Sequence, residues 1–191
     1  DEAFRVAAIR ESFEEAGLLL ARRQGAALTF DDAEVEQRFV AHRRAVDHGE
    51  MSMAELCATE GLELATDELR YLSRWVTPLG APRRYDTRFY VTRAPGGQVA
   101  LHDDREAVDH LWIRPQDALA RHDAGAFQLI LPTRRTLEEL AHHATVDAAE
   151  LDARDEPSAI APTVVDRDGR MVVQLPDGRG YDPLTNLPVA E

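Results

Sequence analysis

Apolar positions in the first stretch of the chain recur at helical spacing: Val6, Ile9, Phe13 and Ala16 fall on one face, with polar residues between them. Residues 1–16 therefore read as an amphipathic helix, and Gly17, which tolerates a positive φ, as its stop. Leu18, Leu19 and Leu20 follow as a short strand. From 29 to about 70 the pattern turns helical again, as an insertion. Asp31 or Asp32 caps a helix running toward His48 and ended by Gly49, and Ser52 caps a second over 53–60 that stops at Gly61. Thr66, Glu68 and Leu69 begin a further turn.

The period then changes. Segments 71–77, 86–93, 98–101 and 108–113 are rich in aromatic and β-branched residues and predict strands. Pro78, Gly80 and Pro82 punctuate the first gap, and Pro95, Gly96 and Gly97 form a hairpin-like turn in the second. Pro115 opens a helix over 116–121, and Pro132 with Thr133 introduces an amphipathic helix through about His143. An acidic, Ala-rich linker over 145–158 leads to 163–165 and 170–175, two strands flanking Asp166–Gly169, where Asp-Gly is a strong hairpin signal.

Composition adds limits. At 191 residues, 44% hydrophobic and 30% charged, the chain fits one ordinary globular domain with room for an insertion and a tail. No apolar run has the length of a membrane helix, and nothing at the start reads as a secretion leader, so the expected setting is the cytoplasm with no membrane partner. The single cysteine, Cys57, excludes an intramolecular disulfide and a Cys-based metal cluster. A net charge of −13 argues against nucleic-acid binding, which depends on basic side chains neutralising phosphates.

Candidate chemistry concentrates in residues 10–17, which read Arg, Glu, Ser, Phe, Glu, Glu, Ala, Gly. Glu11, Glu14 and Glu15 stand at i, i+3 and i+4, so they leave a helix on one face within a single turn, opposite Ile9 and Phe13. Three such carboxylates repel one another unless cations gather there, and a hard divalent ion with oxygen ligands is the chemistry that relieves this. The plainer alternative is a solvated acidic face in which Arg10 and Glu14 form an ordinary i, i+4 pair.

The full pattern resembles the second half of the Nudix box: Arg10 and Glu11, an apolar position here filled by Ser12, any residue, Glu14 and Glu15, any residue, Gly17 and an apolar residue. The glycine that opens the box would precede Asp1. The resemblance implies metal ligation by Glu14 and Glu15, a ligand or general-base role for Glu11, and orientation of the glutamates by Arg10. Mg2+ or Mn2+ would be the cofactor. Glu106, six residues before Trp112, resembles the distal Nudix glutamate that completes the metal site. The implied architecture is an α/β Nudix fold, an α/β/α sandwich with a mixed sheet, with a helical insertion after the Nudix helix and a C-terminal β-hairpin tail. Residues 1–144 would be the Nudix domain, with its insertion at about 29–70, and 145–191 a linker and hairpin appendage.

A second block, Arg74, Trp75, Val76, Thr77 and Pro78 followed by Pro82 through Phe89, resembles Nudix proteins related to peroxisomal coenzyme A diphosphatases. The implied reaction is hydrolysis of CoA or acyl-CoA to 3',5'-ADP and a phosphopantetheine product. Arg83, Arg84 and Arg88 are candidates for bidentate phosphate contacts, with Asp86 holding one of them in place, although Arg88 also suits a strand-edge ion pair; Trp75 and Tyr85 are candidates for stacking on a base, although aromatics in strands are more often core. The same helix would serve an ADP-ribose or NADH pyrophosphatase, or a Nudix-fold sensor that binds a nucleotide derivative without cleaving it. The partner in each case is a nucleotide-derived small molecule; a homodimer is left open.

Overall fold

The first predicted helix forms as α1, Glu2–Ala16, in a computed structural model that describes residues 2–79, 81, 83–105, 109–152 and 158–189. Gly17 follows at φ 70°, the left-handed conformation that ends helices cheaply only at glycine. The chain divides into two units, one of Asp1–Leu69 with Thr92–Leu111, the other of Arg70–Val91 with Trp112–Glu191.

In the first unit, α1 is followed by strands β1 (Ala21–Arg23) and β2 (Ala26–Ala27), helices α2 (Ala33–Asp47) and α3 (Met53–Glu60), strand β3 (Leu62–Leu64) and a 3-10 turn at Thr66–Glu68. Asp32 is the cap of α2, accepting from the amides of Glu34 and Val35. Ser52 and Glu55 cap α3 reciprocally, and Gly61 closes it at φ 64°. The three strands form an antiparallel sheet in the order β2-β1-β3. Ile9, Phe13, Leu19, Phe39 and Leu56 are fully buried in this unit, and the Phe30 and Phe39 rings stack at 4.8 Å.

Two strand expectations fail here, for one reason. Residues 18–20 are not a strand: the Gln98 side-chain amide takes the place of a neighbouring backbone, accepting from Leu19 N at 2.9 Å and donating to Leu19 O at 3.0 Å and Leu28 O at 2.9 Å. Pairing begins only at Ala21. Residues 98–101 likewise join no ladder; Leu101 N donates instead to Ala16 O at the end of α1. The turn at Gly96 and Gly97 forms, but joins no strand pair.

Glu60, at the end of α3, ties the inserted helices to β1. Its side chain is 8% exposed and receives Arg38 Nε at 2.7 Å, Arg23 Nη2 at 2.8 Å and His42 Nε2 at 2.9 Å. The Arg38 hydrogen bond, more than any other neighbour, holds this carboxyl below its ordinary value. A depressed carboxyl pKa stabilises the fold above the unfolded value and loses that contribution as pH falls through the folded one. We expect the melting temperature to fall between pH 5 and 3, and Glu60→Gln to flatten that part of the profile; a variant with an unchanged profile would assign the acid sensitivity elsewhere.

The second unit begins with β4 (Arg70–Val76) and β5 (Asp86–Val91), paired antiparallel with Trp75 opposite Thr87. Helices α4 (Pro115–Asp123), α5 (Leu131–Leu140) and α6 (Val146–Asp152) follow, then β6 (Ala159–Ile160), β7 (Thr163–Arg167), β8 (Arg170–Gln174), β9 (Gly180–Tyr181) and β10 (Pro188–Val189). β6 lies parallel to β4, so the sheet β5-β4-β6 is mixed and the chain beyond 158 builds directly onto it. The predicted hairpin forms through Asp168 at φ 54° and Gly169 at φ 81°, two positive values in succession as a type I′ turn requires. It extends to four strands, ordered β10-β9-β8-β7. Trp75, Leu131, Leu175 and Tyr181 form the core of this unit, with Phe89, Ile160 and Val173 packed against it.

Two further expectations are corrected. Within the predicted linker, Val146–Asp152 is helix α6, since its alternation of Ala, Leu and acidic residues favours a helix once Ala149 is buried. The described part of the 108–113 segment is not a strand; Leu111 is 52% and Trp112 74% exposed, so apolar residue type there does not reflect a buried ladder. Among the described residues no helix is long and apolar enough to cross a membrane.

Candidate functional site

The site is built on α1. Ile9 and Phe13 are buried, while Glu11 and Glu15 are exposed and the Glu14 side chain retains 18% of its exposure. The buried face meets α2 and the 3-10 turn. Arg10 lies beside the carboxylates, ion-paired to Glu11 and with its Nε 3.6 Å from Glu14 Oε1. The Glu11 hydrogen bond, and then the charge of Glu14, raise the Arg10 pKa further above its ordinary value. Structure thus brings together Arg10, Glu11 and Glu14 on a helix whose other face is locked into a core.

Both ends of α1 are held by the insertion. At the start, Arg5 donates to the Thr66 carbonyl at 3.0 Å and to that of Leu69, and Thr66 Oγ1 donates to Glu2 Oε1 at 2.8 Å. At the end, Gly17 N donates to Phe13 O at 3.1 Å, and Arg43 Nε on α2 donates to Glu14 O at 3.0 Å. The last carbonyls of a helix lack intrahelical partners and carry the negative end of its dipole, so a guanidinium there is doubly favourable. Gly17 permits the approach: a Cβ at that position would stand 3.1 Å from Arg43 Nη1. Burial lowers the Arg43 pKa, against the opposing charges of Asp103, Asp47 and Asp104.

Oxygen-only donors suit a hard divalent cation. Among the described residues no three acidic, His or Cys side chains already converge as a ligand set. That arrangement still fits Mg2+, which takes one or two carboxylates and completes its shell with waters and substrate phosphate oxygens. Glu106 lies outside the described residues.

The remaining candidates belong to the second unit. Trp75 is 4% exposed and part of its core, whereas Tyr85 is 60% exposed. Arg83 and Arg84 are exposed, and Arg84 Nε donates to Thr77 O at 3.1 Å. Asp86 receives Arg74 bidentately, at 2.8 and 2.6 Å, where the sequence assigns it one of Arg83, Arg84 and Arg88. The cross-strand register decides this, because Arg74 and Asp86 lie at adjoining positions of the β4–β5 pair.

Sequence reasoning missed Arg43, Arg5 and Gln98. Nothing local marks them: Arg43 is one arginine of the pair Arg43-Arg44, and only the packing of α2 on α1 selects it. Arg43→Ala is expected to cost the first unit about 1.5–3 kcal/mol in urea unfolding, the range for a hydrogen bond to a charged group. Arg43→Lys, which keeps the charge but not the fork, should lose less. No loss in either variant would mean that the bond to the Glu14 carbonyl contributes nothing.

The family model described as the NUDT19 Nudix domain matches residues 1–138. The acyl-coenzyme A diphosphatase NUDT19 of Gallus gallus is 33% identical over 147 residues, 68% of this chain and 38% of that protein. Its Homo sapiens counterpart is 32% identical over 130 residues, 62% of this chain and 33% of that protein. The chain therefore spans well under half the length of these relatives. Among solved structures, a Nudix hydrolase from Alicyclobacillus acidocaldarius is similar with a TM-score of 0.66 and 26% identity, covering 82% of this chain and 69% of that one.

Proposed function

Because this chain belongs to the Nudix family and matches its NUDT19 domain over most of its length, we propose that it hydrolyses the diphosphate of CoA or acyl-CoA to 3',5'-ADP and a phosphopantetheine product. The observation that carries the reading is the pairing of Glu11 and Glu14 with Arg10 on the open face of a helix whose opposite face and both ends are anchored. The names of the relatives support the CoA-type substrate.

In this reading Glu14 and Glu15 hold the cation, joined by Glu106, and Glu11 serves as a further ligand or accepts a proton from the attacking water. Mg2+ or Mn2+ would offset charge developing on the phosphoryl oxygens and make a water more acidic. Arg10 restrains the rotamers of Glu11 and Glu14, so little ordering is left to the moment of reaction. Arg83, Arg84 and Tyr85 are assigned to substrate contact; Trp75 belongs to the core of its unit. Catalysis is assigned to residues 1–144, within which the family match falls. The protein would work in the cytoplasm on a free small molecule, in keeping with its charge of −13.

The test is product analysis with Mg2+ and CoA, acyl-CoA, ADP-ribose and NADH as separate substrates. Release of 3',5'-ADP from the CoA species is the expected result. Preferential cleavage of ADP-ribose or NADH would replace the substrate, and tight binding of one compound without turnover would make the protein a ligand sensor.

A further inference from the structure

Apart from the acidic helix, one pair of side chains in the first unit is arranged for ligation through nitrogen. The Nδ1 atoms of His102 and His110 face each other at 2.7 Å, with ring centroids 5.0 Å apart. Asp104 Oδ1 stands 2.8 Å from His102 Nε2. An ionised carboxylate only accepts, so His102 Nε2 carries the proton and, in the neutral ring, Nδ1 carries the lone pair; these partners assign the tautomer. His110 Nδ1 then donates to it. A carboxylate on the far nitrogen is the arrangement that orients a metal-ligating histidine and raises its basicity.

The segment is anchored on both sides of His102. Leu101 N donates to Ala16 O at 2.9 Å, and Arg105 pairs with Asp47, the last residue of α2. The His102 side chain keeps only 20% of its exposure, while His110 is exposed, so one ring is held and the other is able to adjust. Asp47, Asp103 and Asp104 all act on Arg43, and Asp109 accepts from His110 N at 2.8 Å. Carboxylates therefore outnumber the two guanidinium groups named here, Arg43 and Arg105, which favours a cation.

We propose that His102 and His110 form a two-nitrogen site for a divalent transition ion of the Cu2+ type, with Asp104 as the positioning residue. Spacing selects the ion. Two nitrogens each about 2.0 Å from a metal stand about 2.8 Å apart at adjacent corners of a square and about 3.3 Å apart in a tetrahedron. The observed 2.7 Å matches the square arrangement, which Cu2+ prefers, and imidazole binds Cu2+ more strongly than other divalent first-row ions. Water completes the shell, because no third His, Cys, Asp or Glu converges among the described residues. On binding, His110 gives up its Nδ1 proton and takes one at Nε2, so no net proton is released. The site differs in ligand type from the oxygen donors of α1 and does not rest on the CoA-type reading.

The test is Cu2+ binding by the metal-stripped chain in a Cys57→Ser background, which removes its one thiol. One equivalent is expected whose EPR spectrum carries splitting from two nitrogens and which survives millimolar Mg2+. His102→Ala and His110→Ala should each lose that equivalent with the melting temperature unchanged, whereas His142→Ala combined with His143→Ala should keep it. Asp104→Asn, at a side chain 84% exposed, is expected to weaken binding about tenfold, the lower end for an orienting partner. It carries the test should either histidine variant fail to fold. Absence of a two-nitrogen equivalent in the parent chain, its displacement by Mg2+, or its persistence in both histidine variants would overturn the proposal.

Discussion

Glu14→Gln is expected to lower kcat for CoA-type substrates by roughly 10²–10⁴, the scale of a lost proton-transfer or ligand group, with the fold intact. Glutamine keeps the shape of the side chain and its packing against the neighbouring turn but removes the charge. The Glu14 side chain is the less exposed of the two carboxylates paired with Arg10, at 18% against 49% for Glu11. A cation beside it is therefore less screened by water than one beside Glu11. The structural cost is small, because the Arg10–Glu14 contact is a half-exposed i, i+4 pair and its loss is offset by relief of repulsion from Glu11 and Glu15. Two measurements separate the roles. The wild type should melt at higher temperature with millimolar Mg2+ than without, and the variant should show less of that rise. A variant that keeps both the Mg2+ shift and full turnover would remove Glu14 from the site.

Phe13→Ala should produce the largest loss of stability, about 3–5 kcal/mol in urea unfolding, as for other buried aromatic truncations. Phe13 is 1% exposed and, with Phe30 and Phe39, borders a small space that its truncation would enlarge. The same residue sits one position before Glu14. Loosening its contact with α2 therefore frees the carboxylates as well, and kcat should fall even under conditions where the variant remains folded. Phe13→Leu, which leaves a smaller void, should retain most of both. A stability loss below about 1 kcal/mol for Phe13→Ala would show that α1 is held by its ends alone, through Arg5 and Arg43.

The legible features share a short range. Gly17, Ser52, and Asp168 with Gly169 each act within four residues, through a cap or a backbone angle, and were readable before any packing was known, while the cap of α2 was narrowed to Asp31 or Asp32. Strand assignments failed where an apolar segment joined no strand ladder. Residues 18–20 have the composition of a strand, yet Gln98 bonds Leu19 from far along the chain. Trp112 has the residue type of a buried strand and is largely exposed.

For the candidate site, amino-acid order alone determined the helix, its acidic face and its stop, because helical periodicity converts spacing directly into direction; the family came from the resemblance of residues 10–17 to a known motif. Only the tertiary structure decided that Arg43 and Arg5 brace that helix, that Arg74 rather than a nearer arginine takes Asp86, and that Trp75 belongs to the core of its unit. These depend on which distant segments meet. Contact across dozens of residues is selected by the summed burial of whole faces, and no local pattern of residues encodes which member of a face will carry the bond.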